Sequence, residues 1–94
     1  MRLEEAVGIV LRRRREERGL SQDEFADKAR IARTYVSIVE RGESSATLDK
    51  MTKACSVYGI DVSVVIIEAE QLMRSVVQTQ QKDDGEPPLD TPGT

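Results

Sequence analysis

Between Leu20 and Gly42 the chain reads LSQDEFADKARIARTYVSIVERG, and its start and stop signals leave room for two short helices and a tight turn. Ser21 is a good N-cap, and Glu24 three residues later completes a capping box. Phe25, Ala26 and Ala29 then share one face, so the first of the two helices runs to about Ala29. The second carries Val36 and Val39 inward and ends at Gly42, the residue most able to take a left-handed C-cap. Two helices of this length with a three- or four-residue turn between them form a helix-turn-helix.

The flanking segments are also helical by period. Leu3, Val7, Val10 and Leu11 mark the buried face of a helix spanning Leu3 to Arg18, with Gly19 as its stop. The run Arg12 to Arg15 near its end suits the helix dipole, and a solvated face accounts for most of it. After the polar loop Glu43-Ser44-Ser45-Ala46, Thr47 caps a fourth helix whose core face is Leu48, Met51, Ala54, Cys55 and Tyr58. Cys55 on that face reads as a small buried hydrophobe rather than a redox centre. A fifth helix begins near Asp61 and continues to about Gln78. Its seam of Ile66, Ala69, Met73 and Val76, widened by Leu72, exceeds what a small core needs. The distal part therefore reads as a dimer interface. From Thr79 the sequence turns acidic and proline-bearing, the composition of a disordered tail. The expected division is a folded unit over 1–78 and a tail over 79–94.

Ninety-four residues allow one small all-α domain, a five-helix core built from Val, Ile, Leu, Ala and Met. One cysteine and no histidine leave no disulfide framework and no ligand set for zinc or haem, so neither metal nor cofactor is expected. No nucleophile–base pair, Gly-rich phosphate loop or paired carboxylates suggest an enzyme, and no catalytic residue is assigned. The charged start and the shortness of the longest apolar run, Val62 to Ile67, predict a cytoplasmic protein without membrane segments. Taken alone, the net charge of −3 opposes a nucleic-acid partner. Its distribution does not: residues 1–60 hold twelve Lys and Arg against ten Asp and Glu, residues 61–94 two against seven.

The second helix of a helix-turn-helix reads the DNA major groove through the exposed side chains near its N-terminus. With Val36 and Val39 inward, those are Ala32, Arg33, Thr34, Ser37 and Ile38. Arg33 is the candidate for base specificity, because a guanidinium donates two bonds to guanine O6 and N7. Thr34 suits a base edge, a phosphate or a thymine methyl. Ile38 is either a thymine-methyl contact or a partner surface. Tyr35, Arg41, Ser44 and Ser45 flank the helix as phosphate candidates, with ordinary loop polarity an equal account of the two serines.

The wording Arg33-Thr34-Tyr35-Val36-Ser37, followed by Glu40-Arg41-Gly42, resembles the XRE family of phage Cro and repressor proteins, and within it the restriction-modification controllers. The resemblance covers roughly Val10 to Val65 and implies a compact lambda-repressor-like domain bound to double-stranded DNA. It further implies that Arg15 bridges to Glu40, tying the first helix to the third. By the same resemblance Gln22, beside Ser21 at a helix N-terminus, holds a phosphate. Family members commonly have glycine where this chain has Arg30; either the turn is shaped differently or Arg30 takes the strain and gains a phosphate contact. The expected function is a homodimeric transcription regulator on a palindromic operator. The alternatives are an antitoxin-type regulator whose tail engages a protein partner, and an interaction module that keeps the fold without DNA binding.

Overall fold

The computed structural model describes residues 1–43 and 47–83, with 77–83 as backbone. Among the described residues five helices follow one another: α1 (Leu3–Glu17), α2 (Gln22–Ala29), α3 (Arg33–Glu40), α4 (Leu48–Tyr58) and α5 (Val62–Asp83). The starts of α2 and α4 are fixed by side-chain caps. At α2 the Ser21 hydroxyl accepts from the Glu24 amide at 3.0 Å while the Glu24 carboxylate accepts from the Ser21 amide at 2.8 Å. Bonding from the Ser21 amide, and then from the Ser21 side chain, holds the Glu24 carboxyl below its ordinary range. At α4 the Thr47 hydroxyl accepts from the Lys50 amide at 3.2 Å.

The helix ends are equally specified. Arg30 has φ 61° and ψ 45°, so the turn before α3 is left-handed with an arginine in the position where glycine costs nothing. A differently shaped turn is thereby excluded, and the conformation costs about 1–2 kcal/mol. Two backbone bonds close it, from the Arg30 amide to the Asp27 carbonyl and from the Ile31 amide to the Ala26 carbonyl.

α1 is the spine. α5 packs along it antiparallel: Arg14 late in α1 meets Glu68 early in α5, with Nε to Oε1 at 3.2 Å. At the other end Leu3 adjoins Met73 and Arg74. α3 crosses α1 at Gly8, where an added Cβ would fall 2.4 Å from the Val39 carbonyl oxygen and 2.9 Å from that of Glu40. Gly42, at φ 72°, closes the same contact: its Cβ would meet the Glu5 Cα at 2.9 Å, and its carbonyl accepts from Arg2 Nη2 at 2.9 Å. The core between these helices holds Val7, Val10 and Leu11 of α1 with Phe25, Val36, Val39, Met51 and Val65. Phe25 stacks on Tyr58 at 5.6 Å between centroids. Cys55 is buried, and burial pushes its thiol up, as expected of a packing residue.

Four expectations need correction. Leu48 is 78% exposed and Leu3 38% exposed, because each begins its helix before the neighbouring helices cover it; Met51 and Ala6 are the first to reach the core. Ala69 is wholly buried inside the chain's own core, so it cannot face a second copy. Finally, α5 runs to Asp83, past the expected Gln78, and takes in residues 79–83 of the supposed tail. Residues 84–94, the remainder of that tail, lie outside the described residues, as do Ser44 and Ser45.

Candidate nucleic-acid interface

The arrangement starts from a buried ion pair. Arg15 Nε donates to Glu40 Oε2 at 2.7 Å and Nη2 to Oε1 at 3.0 Å, with the two side chains only 10% and 6% exposed. Arg15 Nη1 donates to the Leu20 carbonyl at 2.7 Å, so the guanidinium also holds the link between α1 and α2. Glu40 accepts a third bond, from Gln22 Nε2 at 3.0 Å. Bonding to Glu40 raises the Arg15 pKa further above its already high ordinary value. One carboxylate thus joins the end of α1, the start of α2 and the end of α3. Beside it the Tyr58 phenol is buried with no hydrogen-bond partner among the described residues, and desolvation together with the Glu40 charge pushes it up to about 12.

This fastening sets α2 and α3 against each other with their N-termini on the outside. Ala32 is the N-cap of α3, and Ala32, Arg33 and Thr34 are all exposed. Ser37 and Ile38 are half-buried one turn on. The exposed first turn is the part of such a helix that enters a major groove. Gln22 and Ser21 stand at the head of α2, at the positive end of the helix dipole, with the Ser21 and Glu24 amides already taken by the capping box. One hydrogen of the Gln22 amide already serves Glu40, which orients the side chain.

The other candidates carry internal duties. The Tyr35 hydroxyl accepts from the Thr47 amide at 3.2 Å and the Lys50 ammonium lies 4.9 Å from its ring, tying Tyr35 to the start of α4. Arg41 donates to Glu43 through Nε at 2.8 Å and Nη2 at 3.1 Å, and through Nη1 to the Ser37 hydroxyl. The pairing raises the Arg41 pKa and lowers that of Glu43. Arg33 Nε lies 3.4 Å from Asp23 Oδ1 across the turn.

Sequence reasoning missed three participants. Glu43, two residues from Arg41, was visible as a neighbour. Gly8 had a signal in its place, a glycine on the apolar face of a helix where alanine is better by about 1 kcal/mol. Asp23 had none, since no spacing rule relates it to a residue beyond a turn.

Residues 11–65 match the family described as Helix-turn-helix. A crystal structure of the clp gene regulator ClgR from Corynebacterium glutamicum superposes with a TM-score of 0.76 at 32% identity, covering 90% of this chain and 88% of that one. The transcriptional regulator ClgR of Mycobacterium tuberculosis is 35% identical over 69 residues, which are 73% of this chain and 62% of that protein. The immunity repressor protein of Bacillus phage phi105 is 27% identical over 78 residues, 83% of this chain and 54% of that protein. The chain therefore spans between half and two thirds of these two curated relatives.

Proposed function

The chain belongs to the helix-turn-helix family of the XRE type, and from that premise we propose that it is a sequence-specific DNA-binding transcription regulator, working as a homodimer on a palindromic operator. The observation that carries this reading is the exposed first turn of α3, with Arg33 and Thr34 outward beside the head of α2. The named relatives support the class: a clp gene regulator and a phage immunity repressor. Its most concrete form is a small regulator of its own operon, as restriction-modification controllers are, supported by the wording of residues 33–42. Among the described residues no helix is long and apolar enough to cross a membrane, and a DNA ligand would place the protein in the cytoplasm.

Selection of purified protein against a random duplex library, at stated salt, tests the reading, because phosphate attraction alone can imitate binding. Two inverted half-sites about one helical turn apart are the expected outcome. Arg33→Ala should then lose about 1–3 kcal/mol of discrimination at one base position while binding to random duplex changes little. Equal losses on both duplexes would reduce Arg33 to a phosphate contact.

The dimer surface, with Ala69 withdrawn into the core, consists of Ile66, Leu72, Met73 and Val76, all half-buried, beside the 51%-exposed Ile67. Leu72→Glu or Met73→Glu is expected to give monomers in sedimentation with unchanged helical circular dichroism. A dimer that persisted would move the interface off α5.

A further inference from the structure

A carboxylate on a surface meant for DNA repels every phosphate that approaches, so its presence needs a reason. Among the described residues, two of the carboxylates on this surface, Glu43 and Asp23, each face an arginine. Their geometries differ. Glu43 takes Arg41 by both Nε and Nη2 while Ser37 takes Nη1, so a phosphate reaching Arg41 must displace a partner. Asp23 touches Arg33 at Nε, from one side, with the two side chains 76% and 62% exposed. A guanidinium approached at Nε still presents its outer edge, Nη1 and Nη2, the pair that can span O6 and N7 of a guanine.

We propose that Asp23 is a specificity-determining, positioning residue: from the head of α2 it holds Arg33 across the turn so that the outer edge of the guanidinium is aimed at a base. The proposal rests on the DNA-reading function above and names the residue that sharpens it. An arginine at the first position of a helix is otherwise a long, freely rotating cation, as ready to seize a phosphate as a guanine. Asp23 acts twice on that choice. It restrains the side chain, and its own charge penalises a swing that brings duplex phosphates close. An exposed pair of this kind contributes little to folding, so stability is the wrong readout and discrimination the right one.

The experiment compares Asp23→Asn with the wild-type full chain on the selected operator and on random duplex of equal length, at one salt concentration. Affinity for random duplex is expected to rise and affinity for the operator not to rise with it, so that their ratio falls about threefold. In an Arg33→Ala background the same substitution should leave the ratio unchanged, because the residue it acts through is gone. Glu43→Gln serves as the contrast and should raise both affinities alike. If Asp23→Asn raises both by one factor, or shifts the ratio equally without Arg33, Asp23 is only a repulsive charge and the proposal fails. A wild-type chain that enriches no motif would be a different failure, that of the DNA-reading function itself.

Discussion

Gly8→Ala is expected to lower the unfolding free energy by about 2–3 kcal/mol, although alanine is the better helix former. The new methyl would lie 2.4 Å from the Val39 carbonyl oxygen and 2.9 Å from that of Glu40. Both obstacles are backbone atoms, which cannot rotate aside as a flexible side chain could. α1 and α3 must separate, and the separation strains the Arg2 bond to Gly42 and the Arg15 pair with Glu40 as well. For a domain of this size the thermal midpoint should fall by about 10–20 °C. A midpoint within about 2 °C of wild type would mean that α1 and α3 do not approach this closely.

The second large effect lies in the buried pair. Glu40→Leu leaves the Arg15 guanidinium nearly enclosed with its main acceptor gone, and about 3–5 kcal/mol should be lost. Arg15→Met combined with Glu40→Leu removes both charges and should recover most of that loss, since the desolvation of two ions disappears along with their attraction. Recovery of folding should not restore DNA binding. Gln22 would still lack the carboxylate that orients it, so affinity for operator and random duplex should both stay several-fold below wild type, the scale of about 1 kcal/mol for one hydrogen bond. Urea titration and fluorescence anisotropy on the same samples separate the two quantities. Single variants that unfold at the wild-type midpoint would show the pair to be worth no more than a surface one.

How far the sequence reveals the molecule depends on the range of the signal. The Ser21–Glu24 box and the stops at Gly19 and Gly42 are legible because cause and effect lie within a few residues. Period 3.6 identifies the inner face of each helix but not where neighbouring helices cease to cover it, hence the misplacing of Leu3 and Leu48. Ala69 in an apolar seam could as well meet a partner as the chain's own α1, and its small size suits the close packing that the fold gives it. α5 outlasts its apolar pattern because Gln and Lys continue a helix readily, and the first breakers, Gly85 and Pro87, come only later. The Arg15–Glu40 bridge was accessible by resemblance alone, since no period or cap connects residues 25 apart.

The notch at Gly8 has a consequence for the DNA as well as for the fold. With α3 seated there on α1, and α5 laid along the same helix, no joint lies between the proposed dimer surface and the reading helix. A dimer through α5 would behave as a rigid caliper, its span fixed at the hinge point by two copies of α5 and beyond the reach of loop adjustment. Each base pair inserted between half-sites displaces one of them by about 3.4 Å and turns it by about a tenth of a revolution. The caliper cannot follow either change, so the duplex must twist or bend to meet it, and spacer sequences that deform readily would be preferred although no side chain touches them.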